Sequence, residues 1–348
     1  MNQNKYKTNN IFTNSGIRDK AGSGYLQPNK LTTIAQAIAT LLEEEFEDPC
    51  NILIATDTRT SSPEIKQALL DGFADFDHEI YDAGICPTPF VAKALRDYQP
   101  SSDQDEDDME FDPEEEGFFD LGIVITASHN PAEYNGIKIL TEYGYLTKEI
   151  EQEISSVYHD LMDNPYEDTN QTITPISLDL VSFYQSTITE QLSQTSLKNI
   201  AVTLDCAHGA TAYIAPRIFN ACGITTTAYN NSTDGSLINK NSACSQPSIL
   251  LEQMQKNNTP WGCAFDGDGD RVIIAHQSGR IFDGDDLLFL LNYHPDYQEF
   301  KTVVGTVMTN SGIEQALQKM GKQLIRTYVG ERNIIEQLIA QQAMIGSE

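Results

Sequence analysis

A serine and three aspartates are the residues of this chain whose types and spacing could do chemistry. Ser128 stands in Thr126-Ala127-Ser128-His129-Asn130-Pro131, just after the apolar run Leu121–Ile125. A hydroxyl on such a loop can cap a backbone, attack as a nucleophile or carry a phosphoryl group. The nucleophile elbow of α/β-hydrolases needs glycine two residues before and two after the serine. Thr126 and Asn130 hold those places and exclude that reading. Downstream, Asp266-Gly267-Asp268-Gly269-Asp270-Arg271 alternates carboxylates with glycines, so a tight backbone can turn several oxygens on one centre. That suits a hard cation such as magnesium, which takes few carboxylates and completes its shell with water or phosphate oxygens. An EF-hand would need glycine at the sixth position of the loop and glutamate at the twelfth. Arg271 and Gln277 stand there instead. A bare acidic turn is disfavoured, because carboxylates this close repel unless a cation or cationic side chains neutralise them.

The elements that position these residues follow from the pattern around them. Leu121–Ile125 predicts a buried strand, and Pro131 biases Asn130 away from helix. The chain turns at Asn135-Gly136 and regains a strand pattern over 137–140, which places Ser128 on a loop at a strand end. Open α/β sheets gather ligands beyond the carboxyl ends of their strands. The aspartate loop is bracketed in the same way, by strand patterns at Trp261–Phe265 and 272–275. Lys138, ten residues beyond Ser128, alternates with Ile137 and Ile139, so its side chain leaves the sheet on the other face from theirs. Apolar spacing predicts helices over 31–46, 90–98, 147–162, 176–193 and 248–257, and another starting at Ser62-Pro63-Glu64 with proline in its first turn. Strands are expected at 52–55 and 199–205. Strands alternating with helices imply α/β units with largely parallel sheets.

Composition narrows the class. A chain of 348 residues holds two or three domains. The net charge of −29 argues against nucleic acid, which needs a basic footprint, and against anionic membranes. Any anionic substrate would need Arg and Lys supplied locally. Six cysteines without a CxxC spacing indicate neither zinc nor a dithiol, and fit reduced cytoplasmic thiols. The first ten residues lack an apolar signal core, and the aliphatic cluster at 287–291 is too short to span a bilayer. Acidic residues crowd positions 100–120, and like charges at that density predict a disordered insert.

Segments 126–131 and 266–271, in that order and about this far apart, resemble the two signature loops of the α-D-phosphohexomutases. The resemblance implies that Ser128 carries the phosphoryl group and that Ser128, Asp266, Asp268 and Asp270 hold one magnesium ion. Gly16-Ile17-Arg18-Asp19 resembles the family's opening loop, with Asp19 where the family has glycine, and would turn Arg18 toward phosphate. Asp57-Thr58-Arg59-Thr60-Ser61-Ser62 and Cys86-Pro87-Thr88-Pro89 match further family stretches. His129 and Lys138 would join the catalytic set, and Arg271, Arg332 and Glu348 would bind phosphate or sugar. The stretch Gly235-Ser236-Leu237-Ile238-Asn239 is similar to that of the bacterial phosphoglucosamine mutases. The implied fold is a series of three-layer α/β/α domains with mixed, largely parallel sheets: 1–163, a second at 164–280 entered through a polar linker, and 281–348 as part of a third. The family's fourth domain would be absent, so the resemblance covers about three quarters of a member. The implied activity interconverts a hexosamine 6-phosphate and 1-phosphate through a bisphosphate. The alternatives are a phosphomannomutase or phosphoglucomutase, or a non-catalytic magnesium-binding remnant. A chain lacking the clamp for the second phosphate is expected to bind magnesium and turn over poorly.

Overall fold

The computed structural model describes residues 10–13, 16–100, 117–166 and 171–347. The first unit contains β1 (Ile17–Lys20), α1 (Pro28–Glu45), β2 (Asn51–Thr56), α2 (Ser62–Phe73), β3 (Glu79–Ile85), α3 (Thr88–Asp97), β4 (Leu121–Ile125), β5 (Tyr134–Thr141), β6 (Gly144–Tyr145) and α4 (Lys148–Asp163). Its sheet runs β1-β5-β4-β2-β3, with a short β7 (Ile176–Ser177) on the outer side of β3 and β6 on β5. The pairs β2–β3, β2–β4 and β3–β7 are parallel, and β5 runs against its neighbours.

Alternation along the strands builds two cores. Ile52, Ile54, Ile123, Ile125, Ile137 and Ile139 face α1, α2 and α4. Leu53, Ala55, Val124 and Leu140 face the other way, against α3. With both faces covered, the strands read as continuous apolar runs. Lys138 lies between Ile137 and Ile139 and therefore leaves β5 on the α3 side.

The second unit contains α5 (Leu180–Gln191), β8 (Ala201–Asp205), α6 (Thr211–Ala221), β9 (Thr225–Tyr229), α7 (Ser248–Asn257), β10 (Trp261–Phe265), β11 (Val272–His276) and β12 (Ile281–Phe282). Its sheet order is β12-β11-β10-β8-β9, with β10, β8 and β9 parallel and the β10–β11 hairpin antiparallel. The third unit contains α8 (Gly284–Leu291), β13 (Thr302–Thr306), α9 (Ser311–Lys319), β14 (Gln323–Thr327) and α10 (Glu331–Gln341). There β13 pairs in parallel with β14 and bridges Gly346 on its other side through Val304.

The first two units share apolar packing. Leu180 of α5 and Ile214 and Ile218 of α6 belong to the same buried cluster as Leu53, Val91 and Val124. Phe90 and Tyr184 stack face to face, with ring centroids 3.5 Å apart.

Three expectations change. The helix predicted from 176 starts at Leu180, because Ile176–Ser177 pairs with β3 and Asp179 caps the helix by accepting the Ser182 N–H. Residues 101–116 of the acidic insert lie outside the described residues, but 117–120 belong to the fold. Phe118 and Phe119 pack on Tyr81 and Tyr98, and the Asp120 carboxylate accepts the Asn51 N–H. The aromatic pair overrides the charge run at that end. Finally, Ile281–Phe282 pairs with β11, so the second sheet runs two residues past 280. All six cysteines are free thiols. Among the described residues no helix is long and apolar enough to cross a membrane.

Candidate active site

Parallel β2 and β4 end side by side, and both feed the site. Ser128 follows β4 with φ of +50°, a left-handed conformation sparsely populated outside glycine. Local bonds hold it there. The Ser128 N–H donates to Thr126 Oγ1 at 2.8 Å, and the Thr126 hydroxyl donates to Asp57 Oδ2 at 2.7 Å. Arg59, 1% exposed, donates from Nε to Asp57 Oδ2 at 2.9 Å. Its Nη2 reaches the carbonyls of Ser128 (2.9 Å) and Asn130 (2.8 Å). Its Nη1 reaches those of Pro131 and Tyr134. A guanidinium offers such a fixed fork of donors, so this one buried side chain ties four carbonyls of the serine loop together.

The aspartate loop comes from the second unit, at the β10–β11 turn. Gly269 adopts φ of +74° there. Gly267 passes so close that a Cβ would lie 2.5 Å from the Ser128 carbonyl oxygen. Ser128 Oγ donates to Asp266 Oδ2 at 2.7 Å. The carboxylate oxygens of Asp266, Asp268 and Asp270 lie within 4.8 Å of one another. Lys138 Nζ, from the α3 side of β5, bonds Asp268 Oδ2 and Asp270 Oδ2, each at 2.7 Å. Thr88, at the start of α3, donates its hydroxyl to Asp268 Oδ2 at 2.6 Å and its N–H to the Asp268 carbonyl at 3.0 Å.

The electrostatics leave this cluster short of positive charge. Burial, with Asp268 and Asp270 nearby, pushes the Asp266 carboxyl well above the usual carboxylate range. Burial opposes ionisation of Asp268 as well, but the Lys138 ammonium outweighs it and holds that carboxyl low. Asp268 Oδ1 and Asp270 Oδ1 are buried without any hydrogen-bond donor. Buried acceptors left empty are costly, and one ammonium cannot balance three carboxylates. This all-oxygen donor set fits a hard divalent cation.

The other expected residues divide. His129 Nδ1 lies 3.4 Å from Ser128 Oγ. Burial, then the cations of Arg271 and Arg18, lower its pKa. Arg18 does not pair with its neighbour. Asp19 accepts from the Lys20 N–H and the Ser23 hydroxyl, and Arg18 Nε is buried with no hydrogen-bond partner. Arg271 has an exposed side chain, and its N–H donates to Asp266 Oδ1 at 3.3 Å. Arg332 is corrected: its guanidinium is buried in a two-pronged ion pair with Glu151 of α4 and does not stand free for a phosphate. Their separation of 181 positions hid that pairing from the sequence. Glu348 lies outside the described residues. Sequence reasoning gave no role to Thr88, Arg59 or Asn239, although it quoted the stretches that carry them.

The comparisons bear on the same three units. The description "Phosphoglucomutase/phosphomannomutase, alpha/beta/alpha domain I" matches residues 9–164, domain II matches 182–279 and domain III matches 283–348. The chain belongs to the phosphoglucomutase/phosphomannomutase family. It is therefore a phosphosugar mutase, an isomerase acting on phosphorylated sugars. Among its relatives is the phosphoglucosamine mutase of Caldanaerobacter subterraneus subsp. tengcongensis, 32% identical over 97% of this chain and 72% of the relative. That of an Acidovorax species is 31% identical over 98% and 73%. Two solved structures share the fold. A phosphoglucomutase/phosphomannomutase family protein from Burkholderia thailandensis superposes with TM-score 0.79 at 22% identity, covering 96% of this chain and 70% of that one. The open form of Paramecium parafusin gives 0.74 at 19%, covering 97% and 65%.

Proposed function

We propose that this mutase interconverts glucosamine 6-phosphate and glucosamine 1-phosphate through a phosphorylated Ser128 and a hexosamine bisphosphate. The reading rests first on one contact: a serine hydroxyl, held in a left-handed turn, 2.7 Å from an aspartate of a three-carboxylate cluster. The names of the relatives and the Gly235–Asn239 stretch support the choice of sugar. Asp266, Asp268 and Asp270, with Ser128 or its phosphoryl group, would hold one magnesium ion. When bound, that ion supplies positive charge against the phosphoryl oxygens.

The residues of the chain divide the remaining work. The P–Oγ bond of phosphorylated Ser128 breaks as a sugar hydroxyl oxygen forms its own bond to phosphorus. The proton of that hydroxyl passes to a base on the sugar's side of phosphorus; His129, beside Oγ, would take the Ser128 proton in the return step, when Oγ is the attacking oxygen. Lys138 provides a fixed cation on the carboxylate side of the reacting group. Arg18 and Arg271 would supply the cations that an incoming phosphate needs. The bisphosphate then returns its other phosphoryl group to Ser128.

The test is direct. Glucose 1,6-bisphosphate and magnesium are incubated with the protein, and phosphopeptides are mapped by mass spectrometry. Conversion of glucosamine, glucose and mannose 6-phosphates is followed by phosphorus NMR. The expected result is one phosphoryl group on Ser128 and a kcat/KM highest for the hexosamine by about tenfold or more, a margin that one hydrogen-bonded group can supply. An unlabelled Ser128 overturns the mechanism. A preference for mannose or glucose overturns the sugar.

A further inference from the structure

The seam between the first and second units passes through the serine loop, and a single amide crosses it there. Asn239 is anchored in the second unit, where its N–H donates to the Ala207 carbonyl at 2.8 Å and its φ is +61°. Its Nδ2 donates to the carbonyl of Ser128 at 2.7 Å and to that of Asn130 at 3.0 Å. From these contacts we infer that Asn239 is a positioning residue for phosphoryl transfer, registering the Ser128 hydroxyl of one unit against the carboxylates of the other. The inference takes the phosphoserine reading above as its basis.

The direction of the amide is forced. With two carbonyl oxygens as neighbours, only the NH2 end can face the loop. The other end is left bare: Asn239 Oδ1 is buried with no donor. A buried acceptor without a protein donor costs about 1–3 kcal/mol. That cost offsets much of what the two bonds to the serine loop contribute, so the amide's chief effect is to hold the loop rather than to raise stability. The Ser128 carbonyl also accepts from Arg59 Nη2 at 2.9 Å. Both of its lone pairs are therefore filled, one from each unit. That fixes the peptide plane after Ser128, and with it the sparsely populated backbone from which Oγ projects. The fit is close enough that a Cβ on Gly267 would lie 2.8 Å from Asn239 Nδ2 and 2.5 Å from the Ser128 oxygen.

Two variants of the full chain test this: Asn239→Ala removes the donors, and Asn239→Asp keeps the shape but turns donors into acceptors. Amide hydrogen exchange is measured on peptides covering 126–134. Ser128 phosphorylation by glucose 1,6-bisphosphate is timed at saturating magnesium. Magnesium affinity and Tm are recorded alongside. Exchange in the loop should rise about tenfold and phosphorylation should slow about 30-fold in Asn239→Ala and more in Asn239→Asp, as expected when a reacting group loses alignment by a fraction of an ångström. Magnesium affinity should fall far less than the phosphorylation rate, within about threefold, since three of the four expected ligands lie on the aspartate loop, outside the two bonds that Asn239 makes. Loop exchange unchanged within about twofold overturns the inference. So does faster exchange with an unchanged phosphorylation rate, and so does a parallel fall in Tm and magnesium affinity, which would mark a merely structural residue. If the unaltered chain takes up no phosphoryl group, the phosphoserine reading fails, and loop exchange alone decides the role of Asn239.

Discussion

Ser128 and Asp266 stand 138 positions apart in the chain, and the serine Oγ donates to the aspartate Oδ2 at 2.7 Å. Each side chain comes from a different sheet, so the contact exists only when both units are folded and docked. Ser128→Ala should leave that docking intact and remove the phosphoryl acceptor. Mutase activity should fall by about 10³-fold or more, in line with loss of a covalent nucleophile. Coupled assay and circular dichroism check the two halves of this expectation. Substantial residual turnover would place the phosphoryl group elsewhere.

Lys138 bonds two of the three carboxylates that would hold a divalent cation, Asp268 and Asp270. Lys138→Met should cost about 3–5 kcal/mol in metal-free buffer, because it strands buried charge. Added magnesium should return part of that loss and stabilise the variant more than the unaltered protein. Urea melts with EDTA and with magnesium measure both. Equal stabilisation of the two proteins would separate Lys138 from the metal cluster.

What the sequence made legible was local. The strand over Leu121–Ile125 and the helix over Ser248–Asn257 have the bounds that their apolar spacing predicts. Ser128 and the aspartate loop stand out because their residue types break the strand pattern around them. The role of Arg59 was not legible, since its partners are backbone carbonyls that β2 and β4 bring together in space. Lys138 gave only half its position: alternation put it on the far face, but not opposite which neighbour. Arg332 misled because an arginine after a glycine loop fits phosphate as well as it fits a glutamate that sequence cannot place beside it.

The Arg332–Glu151 pair joins the third unit to the first, and both side chains are buried. Arg332→Met alone should destabilise by about 3–5 kcal/mol, leaving a carboxylate without its partner. Replacing both, Arg332→Met with Glu151→Met, should restore much of that loss. A double-mutant cycle read from urea midpoints gives the coupling. Additive effects would show that the pair contributes nothing as a pair.

Asp179 caps α5, and its side chain accepts from the Ser182 N–H at 3.0 Å and the Ser182 hydroxyl at 2.6 Å. These bonds hold its carboxyl below the usual carboxylate range. A depressed folded-state pKa means stability that is present above the unfolded value of about 3.9 and lost as pH falls through the folded one. Asp179→Ala should therefore cost about 1 kcal/mol at neutral pH, the ordinary value of such a cap. The difference should vanish in acid, below the folded-state pKa. Thermal melts from neutral pH downward follow it, and a gap independent of pH would contradict the cap.

The helix that Asp179 starts also carries Tyr184, stacked on Phe90. Because Leu180, Ile214 and Ile218 fill the same apolar interior as Val91 and Val124, the first two units share one core and could part only by exposing it. Prying them open would wet that interior, so heat should melt the two as one transition.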